Sequence, residues 1–94
     1  MQRARPSRDL IQRYLNSGAL LVVGQAWCTV TSQMLYAIQA HFPQVQVVLL
    51  DEYEDAVRTV SELMDNYQQN HVPFVFQRGQ FITPHYHQHH PCYW

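Results

Sequence analysis

The chain carries little obvious chemistry, and most of it concentrates at Cys28. This cysteine follows the apolar run at residues 19–23 and precedes residues with helical spacing, so it stands where a strand hands over to a helix. Unpaired amides and the helix dipole lower a thiol's pKa at such a place and favour the nucleophilic thiolate. Thr29 and Thr31 put hydroxyls within one turn of the sulfur and are expected to donate to the anion, and Trp27 to shield one side. The competing reading is an inert cysteine filling the end of a strand, the commonest role of a free thiol. The other cysteine, Cys92, lies near the opposite end of the chain. Two cysteines so far apart do not suggest a disulfide scaffold. Cys28 is therefore taken as the lone redox thiol, while a part for Cys92 as a distant resolving thiol stays open.

The second concentration of chemistry is His85, His87, His89 and His90, which with Cys92 place five soft-metal ligands in eight residues. Such a set suits Zn, Ni or Cu, yet its spacing fits no finger pattern, and histidine-rich tails mostly bind metal adventitiously. No metal site is assigned, and no metal cofactor is expected.

The elements that must position Cys28 are legible from periodicity. Pro6 and the cap-type residue Ser7 precede Leu10, Ile11, Tyr14 and Leu15, one face of a helix ended by residues 16–18. The unalternating run 19–23 fits a strand buried on both faces. Val30, Met34, Leu35, Ile38 and Phe42 mark an amphipathic helix stopped by Pro43. Residues 45–50 read as a second buried strand. The acidic stretch from Asp51 opens a third helix with Val57, Val60, Met64 and Tyr67 inside. Residues 72–76 and 80–83, joined by a tight turn at Arg78-Gly79, form a hairpin. The order is helix, strand, helix, strand, helix, strand, strand. A right-handed crossover makes the first two strands parallel, and the hairpin adds antiparallel ones. The fold class is α/β, a thioredoxin-type mixed four-stranded sheet with helices on both faces. Residues 1–94 form one domain, with a core over about 7–83 and an irregular tail over 84–94.

With 94 residues, 47% of them hydrophobic, and a formal net charge of −1, the chain is of globular composition. Arg3, Arg5, Arg8 and Arg13 crowd its start, and lysine is absent. Arginines interleaved with polar residues are mostly a solvated helix face, so no nucleic-acid partner is expected. No run approaches the roughly 20 apolar residues of a membrane span, and no secretory signal is recognised. The expectation is a cytoplasmic protein with no membrane partner.

Ala26-Trp27-Cys28-Thr29-Val30-Thr31 after an apolar strand, Val72-Pro73 before another, and Gly79 in the next turn resemble the glutaredoxins in order and spacing, over roughly residues 8–83. The resemblance implies that Cys28 is the nucleophile and that Thr31 replaces the second cysteine of the CxxC motif. It also implies that Pro73 is cis, with Val72-Pro73 offering backbone groups to bound glutathione or peptide. It thus points to a monothiol glutaredoxin. Cys28 attacks the sulfur of a glutathionylated or disulfide protein, and free glutathione releases the mixed disulfide. Catalysis falls to Cys28, and substrate contact to Trp27, Thr29, Val30, Thr31, His71, Val72 and Pro73. His71, if protonated, would stabilise the thiolate.

The chain departs from the pattern in ways that degrade the glutathione site. Gln25 stands where a lysine usually pairs with a glutathione carboxylate, Asn70 where a basic residue is common, and His71 where the family has threonine. Thr83-Pro84 replaces paired glycines, and His85, Tyr86 and His87 stand where an acidic residue is usual. Each charged hydrogen bond lost is worth roughly 1.5–3 kcal/mol, so glutathione affinity should be poor. The family's closing helix is also missing. The sheet face it would cover is left for the aromatic tail (Tyr86, Tyr93, Trp94), a second copy of the chain in a homodimer, or a partner protein. The alternative functions are a non-enzymatic binding or assembly module on the same fold, and metal or iron-sulfur handling.

Overall fold

The computed structural model describes residues 6–82 and Cys92. The unalternating apolar run becomes β1 (Leu21–Gly24), every residue of which is buried. It is central in a four-stranded sheet of order β2-β1-β3-β4. Strand β2 (Gln46–Leu49) lies parallel to β1, and β3 (Phe74–Gln77) pairs antiparallel on its other side, followed by antiparallel β4 (Gln80–Ile82). The thioredoxin-like α/β architecture expected from the sequence is thus the one observed. In the turn between β3 and β4, Arg78 and Gly79 both have positive φ, the pairing that matches a two-residue hairpin turn to strand twist.

Among the described residues, three α-helices cover the sheet. On one face α1 (Ser7–Ser17) and α3 (Ala56–Tyr67) enclose the larger core, including Ile11, Leu21, Val23, Val48, Val60, Phe74 and Phe76. On the other, α2 (Thr29–His41) lays Met34, Leu35 and Ile38 against Val22, Val45 and Val75. Among the described residues α2 is the only helix on that face, and at its far edge Ile82 remains 39% exposed. The tail residues proposed to cover it, the histidine ligands and Arg3 and Arg5 lie outside the described residues.

Several local expectations need correction. The third helix does not begin in the acidic stretch: a 3-10 turn (Leu50–Glu52) and the buried Tyr53 intervene. Val57 does not face inward but is 67% exposed, and Ala56, Thr59, Val60 and Leu63 form the buried side. Ser7 does not cap α1, whose N-cap is Pro6. Instead the amides of Ser7 and Arg8, and the Ser7 hydroxyl, donate to the Asp55 carboxylate at 2.9, 3.2 and 2.7 Å. The Thr59 hydroxyl adds a fourth bond at 3.0 Å. Partial burial works to raise the Asp55 pKa, but these hydrogen bonds outweigh it and hold the carboxyl below its usual value.

Candidate functional site

The close approach of α2 to β1 sets the position of Cys28. Gly24 ends the strand, and a Cβ there would lie only 2.5 Å from Thr31 Oγ1, so glycine is what lets the helix start this near. The intervening loop is tied at two points: the Cys28 amide donates to the Gln25 carbonyl at 3.2 Å, and the Ala26 amide to Asp51 Oδ1 at 2.9 Å. Cys28 is consequently the N-cap of α2, and its sulfur accepts the Thr31 backbone N–H at 3.4 Å.

The expected surroundings hold only in part. The group donating to the sulfur is the amide of Thr31, while its hydroxyl is buried against Gly24 with no hydrogen-bond partner. Thr29 is exposed, Val30 is buried in the core, and Trp27 stands 66% exposed rather than lying over the sulfur as a shield. Gln25, at the position expected to face a glutathione carboxylate, is 2% exposed, and its Oε1 likewise finds no partner.

The second half of the site is the segment before β3. The Val72-Pro73 peptide is cis, as the resemblance implied. The buried side chain of Gln69 spans this segment, its Nε2 donating to the carbonyls of His71 and Pro73, both at 2.9 Å. Burial pulls the His71 pKa below its ordinary value against the opposing pull of a backbone hydrogen bond with Val72. Burial thus works against the protonated form of His71, the condition under which it would stabilise a thiolate.

Cys92 joins the two halves. Its sulfur is bonded to Cys28, and its carbonyl accepts the Val72 N–H at 2.9 Å in an isolated antiparallel bridge. The sequence singles out Cys28 as the lone redox thiol and leaves a part for Cys92 open; in this state Cys28 is 1% exposed, disulfide-bonded to Cys92 and does not titrate. The two sulfurs are 64 residues apart in sequence, and Cys92 sits in a segment without apolar period, so spacing gave no sign of the pairing. Asp51, read only as the opening of a helix, and Gln69 were also missed, because their partners in Ala26, His71 and Pro73 follow no local period.

No protein-family model matches the chain, and no curated protein matches it significantly. Solved structures do. A dithiolic glutaredoxin of Trypanosoma brucei brucei superposes with a TM-score of 0.69 at 21% identity, over 85% of this chain and 79% of the other. A buckwheat glutaredoxin in complex with glutathione gives 0.72 at 26% identity, over 79% and 67%. An oxidized glutaredoxin of Chlamydomonas reinhardtii gives 0.71 at 24% identity, over 80% and 71%. With the strand order and the helices, these similarities show that the chain has a thioredoxin-like α/β fold that matches those of glutaredoxins.

Proposed function

We propose that the protein is a thiol-disulfide oxidoreductase in which Cys28 is the nucleophile and glutathionylated or disulfide-bonded proteins are the substrates. The observation that carries this reading is the environment of the Cys28 sulfur. It occupies a helix N-cap, accepts an amide proton there, and already participates in a disulfide. An N-cap sulfur is stabilised as the thiolate, the form that both attacks and leaves in exchange. Exposed Trp27, next to Cys28 in sequence, offers apolar surface to a protein substrate, and the Val72 N–H, held here by the Cys92 carbonyl, offers a hydrogen bond once that carbonyl leaves. In a reducing cytoplasm, where this reading places the protein, a disulfide is a passing state of a redox cycle rather than a permanent staple.

Glutathione is proposed as the small thiol of the cycle, by analogy with the buckwheat glutaredoxin of similar fold. The buried Gln25 supports weak rather than tight binding of its carboxylate. The test is turnover of a glutathione mixed disulfide by the wild type and by Cys28→Ser. Loss of turnover in the variant is expected, and equal rates end the enzymatic reading. A binding module is the second reading, favoured by the sealing of Cys28 from solvent. Alkylation of the reduced protein against pH separates the two, since a Cys28 pKa at or above about 8.5 supports the module.

A further inference from the structure

We propose that Cys92 is the resolving cysteine of this site, and that its backbone takes the place of the substrate's on Val72. The inference rests on the exchange reading above and adds the second half of the cycle. Thr31 stands where a CxxC motif would supply a second thiol, so a second attack made by the chain itself, rather than by free glutathione, falls to Cys92. Cys92 is placed for it by two separate contacts: its sulfur is on Cys28, and its carbonyl holds the Val72 N–H at 2.9 Å. It is half-buried against the same core cluster that contains Cys28 and Val72. Sulfur and backbone are thus engaged at once, the arrangement expected of a cysteine-containing peptide caught in a mixed disulfide.

The chemistry balances without a cofactor. The Cys28 thiolate attacks a substrate disulfide, forming a mixed disulfide and releasing one substrate thiolate. The Cys92 thiolate then attacks the Cys28 sulfur, breaking the mixed disulfide, releasing the second substrate thiolate and leaving the bond seen here. Substrate gains two electrons and the cysteine pair loses two. Two equivalents of a low-molecular-weight thiol return them and leave as their own disulfide.

Val72 has one amide proton. A substrate carbonyl and that of Cys92 cannot both take it at full strength, so docking displaces Cys92 and the return of Cys92 favours release. Resolution and product departure are then one event.

The proposal is tested with glutathione disulfide as the probe. Reduced wild type and Cys92→Ser are freed of reductant, mixed with it and followed by intact mass. Wild type is expected to lose two hydrogens and retain no glutathione, whereas Cys92→Ser retains one glutathione, mapped to Cys28. If wild type holds that adduct as long as the variant does, Cys92 does not resolve it, and exchange at Cys28 still stands. If Cys92→Ser takes up no glutathione at Cys28, the exchange reading itself falls and this proposal with it.

Discussion

At the scale of single residues, the atom that tunes the Cys28 sulfur is a backbone proton. Thr31 offers two donors, and only its amide reaches the sulfur; the hydroxyl is buried without a partner. Desolvating a hydroxyl without recompense costs about 1–3 kcal/mol, and valine has nearly the same shape. Thr31→Val should therefore leave the reduced Cys28 pKa unchanged and keep or raise stability by about 1 kcal/mol. Alkylation rate against pH, with a denaturant melt, reads both. A clear rise in the thiol pKa would assign the hydroxyl a role that this geometry denies it. Burial lowers the His71 pKa and so works against a positive charge there. Stabilisation of the anion rests with the helix terminus.

At the scale of elements, what was legible in the sequence was whatever local period could encode. β1, α2 and the hairpin follow from an unalternating apolar run, a 3.6-residue stripe and a turn dipeptide, and each forms, with ends shifted by one or two residues and with Phe42 exposed at the C-cap of α2 instead of on its apolar stripe. The misreadings come from contacts across the sequence. Ser7 has the chemistry of a cap, but the carboxylate that satisfies the start of α1 is Asp55, 48 residues away. Val57 looked interior because the buried face of α3 includes the polar Thr59, tied to Asp55 and so invisible to an apolar count. Asp55 thus joins the starts of α1 and α3, and its lowered pKa has a definite sign. The unfolded state binds the proton more readily, so the stabilisation is present above the ordinary Asp value of about 3.9 and is lost as pH falls below it. Asp55→Asn should cost about 0.5–1 kcal/mol near neutrality and flatten the stability profile below about pH 4, as read by melts across pH. Gln69 does the same office for the loop before β3. Gln69→Ala leaves the carbonyls of His71 and Pro73 without their shared donor. A loss of about 1–3 kcal/mol is expected, with slower exchange at Cys28 if Val72 is part of the docking site. Unchanged melts would show that the clamp is not needed to hold the segment.

At the scale of the whole molecule, the disulfide closes the chain from Cys28 to Cys92 into one loop. Its 64-residue separation links the head of α2 to the segment beside Val72, across the cluster that also holds Phe74 and Phe76. In the chain-entropy account a closure of this length restricts the unfolded state by roughly 4 kcal/mol, a large share of the 5–15 kcal/mol by which small domains are stable. A catalytic disulfide that is made and broken each cycle therefore changes the stability of the fold each time. Reduction should lower the urea midpoint of the wild type, with a loss in unfolding free energy of up to about 4 kcal/mol. Cys92→Ser should melt like the reduced wild type whether or not reductant is present. The contrast matters because, among the described residues, the Val72 N–H contact with Cys92 is backed by this bond and by packing on the adjoining core. If reduced and oxidised wild type melt together, native contacts of Cys92 hold its segment in place without the bond. Docking of substrate on Val72 would then have to displace a segment that stays folded, and exchange would be slow at that step even with both thiols free.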